Sequence, residues 1–167
     1  MEIYTLDNLK FAFDFLESLK DIREDLKHHP EKDAFNHSLQ VLELAFKESQ
    51  DIDLILSAML HDIGKAHFII DHDKIAIELL KDYVSVKTLW LIEHHIRIRY
   101  LLEGKIVKLS KVEYLINHPW LSELILLTRW DKMGRIPDKV MKYDKEYILK
   151  RLNQCAEKHF KNLLDKI

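Results

Sequence analysis

The sequence predicts an all-α bundle of about seven to eight helices, from three observations. Apolar residues recur at helical spacing along nearly the whole chain. Only three glycines and three prolines occur in 167 residues, against an average of about 12% for the two together. Sandwiches and small barrels need those residues for tight reversals and positive φ. No pair of segments reads convincingly as strands.

The elements follow in chain order. Leu6, Leu9, Phe13, Leu16 and Leu19 mark a first helix, and a polar stretch through His28, His29 and Pro30 reads as loop. Asp33 is placed to cap a second helix that carries His37, Val41, Leu44 and Ala45 on one face. Asp51 caps a third, from Leu54 to about His61, which stops at Gly64. Asp71 caps a fourth with Ile75, Leu79 and Leu80 inward, and a fifth runs from about Ser85 to Arg99. Beyond Gly104, Ile106-Val107-Lys108-Leu109 is too short to assign. Ser110 caps a short helix, and Pro119 suits the first turn of a helix ending near Lys132. A last helix runs from about Asp144 to the C-terminus. No repeat, low-complexity segment or linker interrupts residues 1–167, which read as one domain.

Composition excludes several classes. With 47% apolar and 32% charged residues the chain is neither disordered nor collagen-like. No apolar run approaches the about 18 residues of a membrane helix. The net charge of −2 lacks the basic footprint of a protein that binds long nucleic acids. A single cysteine, Cys155, and no basic leader after Met1 lead to the expectation of a cytoplasmic protein.

Ten histidines stand against this plain background. His37 shares a helix face with Val41 and Leu44, and His61 follows the small residues Ser57 and Ala58. Asp131 follows Leu124 and Leu127 at i−7 and i−4, so its carboxylate points inward. A carboxylate buried alone costs several kcal/mol, so it needs a partner, most simply a cation. Asp62 ends a helix, where the dipole disfavours an anion and a bound metal would reverse the penalty.

The segment Leu60-His61-Asp62-Ile63-Gly64-Lys65 resembles the signature of the HD-domain superfamily of metal-dependent phosphohydrolases. That family combines an upstream His, a His-Asp doublet and a distant Asp, each on a different helix. Here the resemblance spans about residues 34–135 and leaves the terminal helices as flanks. It implies that His37, His61, Asp62 and Asp131 hold a divalent transition metal such as Mn, Fe, Co, Ni or Zn. In two-metal members the Asp of the doublet bridges both ions. Asp62 would then do so, and His72, His94 and His95 would supply the second ion. Whether one ion binds or two, and which of His94 and His95 ligates, stays open. The order resembles the binuclear branches, which include HD-GYP phosphodiesterases and di-iron oxygenases similar to inositol oxygenase. Ile96-Arg97-Ile98-Arg99 follows His94-His95 in place of Gly-Tyr-Pro, so cyclic di-GMP hydrolysis is not expected. His28, His29, His67, His118 and His159 match no family position.

Positive charge accompanies these residues. Arg97 lies at i+3 from His94 and Arg99 at i+4 from His95. Lys65, Arg97, Arg129 and Arg135 are expected to recognise phosphate, with Asp62 and Lys65 as catalytic residues. The expected reaction is hydrolysis of a small phosphomonoester or phosphodiester, a nucleotide being the candidate, by metal-activated water. Two rivals keep the same ligands: a di-iron oxygenase, and a non-catalytic metal-binding module. Substrate identity and oligomeric state are not legible.

Overall fold

The computed structural model describes residues 3–20, 22, 33–106 and 108–166. The expected loop at His28, His29 and Pro30, like Val107, lies outside them. The fold is all-α. Among the described residues there are eight α-helices: α1 (Leu6–Glu17), α2 (Ala34–Glu48), α3 (Ile52–Leu60), α4 (His72–Leu80), α5 (Val86–Leu102), α6 (Glu113–Ile116), α7 (Leu121–Met133) and α8 (Lys145–Leu164). Two 3-10 turns, Ile63–Ala66 and Leu109–Lys111, complete the order.

Most starts carry the caps that the sequence indicates. Asp33, Asp51, Ser85 and Asp144 each accept a backbone N–H from the first turn of α2, α3, α5 and α8. Three expectations fail. Asp71 precedes α4 but has a left-handed backbone (φ 57°) and caps nothing; its carboxylate pairs with Lys74 instead. Ser110 lies inside a 3-10 turn, and α6 starts after Val112 without a side-chain cap. Pro119 belongs to the turn before α7, whose N-cap is Trp120.

The core is organised around α3, all of whose residues are buried. It packs against α1, α2, α5, α7 and α8, which suits a short helix that is apolar nearly all round. Near its start the buried Asp53 carboxylate accepts hydrogen bonds from Tyr4, Ser85 and Thr88, joining the N-terminal segment to α3 and α5. Burial, then the Asp53 charge, push the Tyr4 hydroxyl well above its ordinary pKa. At its other end α3 delivers His61 and Asp62 into the middle of the bundle. There the 3-10 turn meets the start of α4 so closely that a Cβ on Gly64 would collide with the His72 backbone carbonyl. The loop between them exposes three consecutive large apolar residues, Phe68, Ile69 and Ile70. No helix among the described residues is long and apolar enough to cross a membrane.

Candidate metal centre

The central helix stops at Leu60, and Asp62 takes φ −104° and ψ 3° as the chain turns into the 3-10 segment. Adjacent residues on a continuing helix would diverge by about 100°. Here they converge, with His61 Nε2 3.4 Å from Asp62 Oδ2. His37 reaches the same point from α2, His72 from the first position of α4, His95 from the middle of α5 and Asp131 from the last turns of α7. None of the six is more than 8% exposed.

Each of the four histidines places Nδ1 on a backbone carbonyl. The acceptors are Gly134 for His37 (2.9 Å), Ala58 for His61 (3.0 Å), Ile69 for His72 (2.8 Å) and Ile92 for His95 (2.6 Å). A carbonyl oxygen only accepts, so Nδ1 carries the proton in every ring. A ring in its neutral form therefore aims a bare Nε2 lone pair inward. His37 Nε2 lies 3.3 Å from His61 Nε2 and 3.0 Å from Asp131 Oδ1. The donors form two groups, His37-His61-Asp62 and Asp62-His72-His95, which share Asp62. Asp131 adjoins the first, 3.7 Å from His61 Nε2.

This arrangement fits a transition-metal ion. His72 Nε2 is buried, makes no hydrogen bond, and lies 3.1 Å from Asp62 Oδ1. Two donors held about 2.1 Å from one ion at a right angle stand about 3 Å apart. Without an ion, the electrostatics already call for positive charge. Burial alone would lower His61, but Asp62 and Asp131 outweigh it and hold that imidazole up at about 10. Burial also opposes ionisation of the two carboxylates. For Asp62 it is outweighed by His61 and Lys65, and for Asp131 by His37 and His61, so both stay well below the ordinary range. His95, pressed down by burial and then by the neighbouring His61, titrates at about 3 and stays neutral.

The expected cations divide between two places. Lys65 Nζ donates to Asp62 Oδ2 at 2.8 Å, and Arg135 Nη2 to Asp131 Oδ1 at 2.8 Å. Arg97 instead donates to the Lys111 carbonyl, and Arg129 pairs with Glu48, which also accepts from Trp130 Nε1. The reason is helical phase. Arg97 follows His95 by two positions and Arg129 precedes Asp131 by two, about 200° round each helix from the cluster. Arg99, outside the expected ring, donates from Nη1 to Asp131 Oδ2 at 3.3 Å. Its signal was the i+4 spacing from His95.

His94 takes no part in either donor group; its half-buried ring packs edge-on against Trp90 and Tyr114. His118 stacks on Trp90, His159 meets Tyr4 edge-on, and His67 is exposed. Cavities of about 270 Å³ between α2 and α8, and about 290 Å³ beside Asp51, are lined by none of the cluster residues.

A comparison with family models matches residues 34–135 to the HD domain. The matched span begins with α2, ends just beyond α7, and contains all six clustered side chains.

Proposed function

Because the chain belongs to the HD domain family, whose superfamily is that of metal-dependent phosphohydrolases, we propose that it hydrolyses a small phosphorylated substrate at the buried cluster. One observation carries this reading: two donor groups share the Asp62 carboxylate, and all four imidazoles turn Nε2 toward them. In this reading His37, His61, Asp62 and Asp131 hold one divalent ion, and Asp62, His72 and His95 hold a second. The donor set suits Mn, Fe, Co, Ni or Zn. A divalent ion at such a site lowers the pKa of coordinated water and draws charge from a phosphoryl oxygen.

The protein's own contribution is orientation and charge. The carbonyls of Gly134, Ala58, Ile69 and Ile92 fix the ring tautomers before any ligand arrives. His61 and Lys65 keep Asp62 ionised, and Lys65 and Arg135 bring positive charge of the kind a phosphate ester requires. Bulk water is excluded by the burial of the cluster, which strengthens these interactions. The substrate class is a phosphomonoester or phosphodiester of a small molecule, a nucleotide being the candidate.

The test is elemental analysis of purified protein combined with phosphate release from a panel of small esters. The expected result is two ions per chain and hydrolysis that stops on chelation and returns with added metal. Metal-dependent oxygen uptake without phosphate release would replace this reading with the di-iron oxygenase. Full metal content with neither activity would replace it with a non-catalytic module.

A further inference from the structure

We propose that Gln40 is a positioning residue for His37 and acts through the backbone of the segment that joins α7 to α8; its bearing on the metal rests on the proposed reading of His37 as a ligand. Gln40 is 1% exposed and lies one turn beyond His37 on α2. A buried amide needs partners for its N–H groups and for its oxygen. Gln40 finds them along one stretch of backbone. Its Nε2 donates to the carbonyls of Ile136 and Lys139, each at 3.2 Å, and its Oε1 accepts the Ile136 N–H at 3.0 Å.

The segment depends on such partners. Among the described residues, positions 135–143 take part in no backbone–backbone hydrogen bond. The chain bends at Asp138, whose φ of 58° is left-handed. In place of a ladder, a stripe of α2 side chains matches the polar groups of this backbone. Asn36, Gln40 and Glu43 stand at i, i+4 and i+7 and so share a helix face. Asn36 donates to the Lys139 carbonyl and accepts the Met141 N–H, each at 2.7 Å, and Glu43 accepts from Lys139 Nζ at 2.5 Å.

Gln40 is the member of the stripe that grips the segment closest to the cluster. Gly134 stands two residues before Ile136, and its carbonyl accepts from His37 Nδ1 at 2.9 Å. On the other side, the Gly134 N–H donates to the Trp130 carbonyl at 2.8 Å. The carbonyl that orients His37 is thus held between the end of α7 and the Gln40 amide. There is little slack, since a Cβ on Gly134 would strike Val41 of α2. One helix therefore supplies both the imidazole and the amide that fixes the carbonyl against it. Releasing Ile136 lets the Gly134 carbonyl turn away from Nδ1. The neutral ring is then free to carry its proton on Nε2, which blocks the lone pair that a metal ion requires.

Gln40→Met keeps the length of the side chain and removes all three of its hydrogen bonds. Leu152→Ala, at a buried position on α8, serves as a variant destabilised away from the cluster. The first readout is nitrogen NMR of the imidazole rings in metal-free protein, which separates a neutral ring protonated on Nδ1 from one protonated on Nε2. Wild type and Leu152→Ala are expected to show His37 protonated on Nδ1, and Gln40→Met to shift it toward Nε2. The second readout is calorimetric titration with zinc. Gln40→Met should weaken the ion held by His37, His61 and Asp62 about tenfold or more, as loss of a group that orients a ligand does. The ion held by Asp62, His72 and His95 should change far less, and Leu152→Ala should lower the melting temperature while leaving both affinities as they are. If Gln40→Met does not fold, Gln40→Asn, whose amide is one methylene shorter, carries the same comparison.

A role in folding alone predicts a lower melting temperature with the His37 tautomer of the wild type, and that result overturns the proposal. In a protein that binds zinc, affinity lost equally at both ion sites, or at neither, overturns it as well. If the wild type binds no zinc but the Gln40 variant still changes the His37 tautomer, the metal reading fails and the positioning of His37 by Gln40 stands.

Discussion

Asp62 is the residue on which both donor groups depend. Asp62→Ala is therefore expected to lose both ions and all hydrolysis, whereas His72→Ala should lose one ion; metal analysis of the purified variants checks this. A full complement in Asp62→Ala would refute the sharing. Protonation sets the pH dependence. In metal-free protein His61 titrates at about 10 instead of its ordinary 6.5. That favours the fold below the ordinary value, and the contribution is lost as pH rises through about 10. Asp62 and Asp131, held well below their ordinary 3.8, contribute above that value and lose the contribution as pH falls. An incoming ion must displace the His61 proton, so metal affinity should rise with pH up to about pH 10, with proton release measurable in two buffers. The residues legible in the sequence were those with a fixed helical phase against apolar neighbours: His37, His61 and Asp131. His94 and His95 were not separable, because both have apolar residues one turn back. The aromatic neighbours Trp90 and Tyr114, which engage His94, come from packing that one helix does not encode.

The helices were largely legible because their caps and apolar stripes are local. The joint between the 3-10 turn and α4 was not. Its conformation serves His72, and Asp71 gives up its capping role to a left-handed backbone there. Gly64 marks how close that joint is. Gly64→Ala should push the start of α4 away from Asp62, costing about 1–3 kcal/mol in stability as overpacked cores do. It should also remove the ion held through His72 while sparing the one beside Asp131. Thermal unfolding and metal counts together check this, and an unchanged metal complement would show that the joint does not position His72. Gly134 is the corresponding close approach on the other side. A Cβ there would strike the Val41 side chain, and its carbonyl orients His37.

At the scale of the whole molecule, the all-α class follows from scarce turn residues and unbroken helical periodicity. The way the terminal helices attach does not. α1 and α8 pack on one another and on α3, and Glu17 receives Lys145 and Tyr143 across more than a hundred residues of sequence. Such pairings depend on tertiary approach and leave no local pattern. In the proposed two-ion reading the donors come from α2, α3, α4, α5 and α7 and the turn after α3, so the two ions together would tie most of the bundle. At a hundred times its Kd, an ion bound only by the folded state adds about 2.7 kcal/mol. For a chain of this size that is about 5–10 °C in Tm, to be read by scanning calorimetry with and without metal. A melting temperature insensitive to metal would argue against a site shared by these helices.

In the proposed two-ion reading, the loop bearing Phe68, Ile69 and Ile70 is expected to give the two ions different lifetimes. Its apolar side chains lie in solvent, and its Ile69 carbonyl is what steers His72. His37, His61 and Asp131 belong to helices rooted in the core. Local opening of the loop needs far less free energy than opening the core. Excess chelator should therefore strip the metal in two phases: a fast loss of the ion held through His72, then a slow loss set by the unfolding of the bundle.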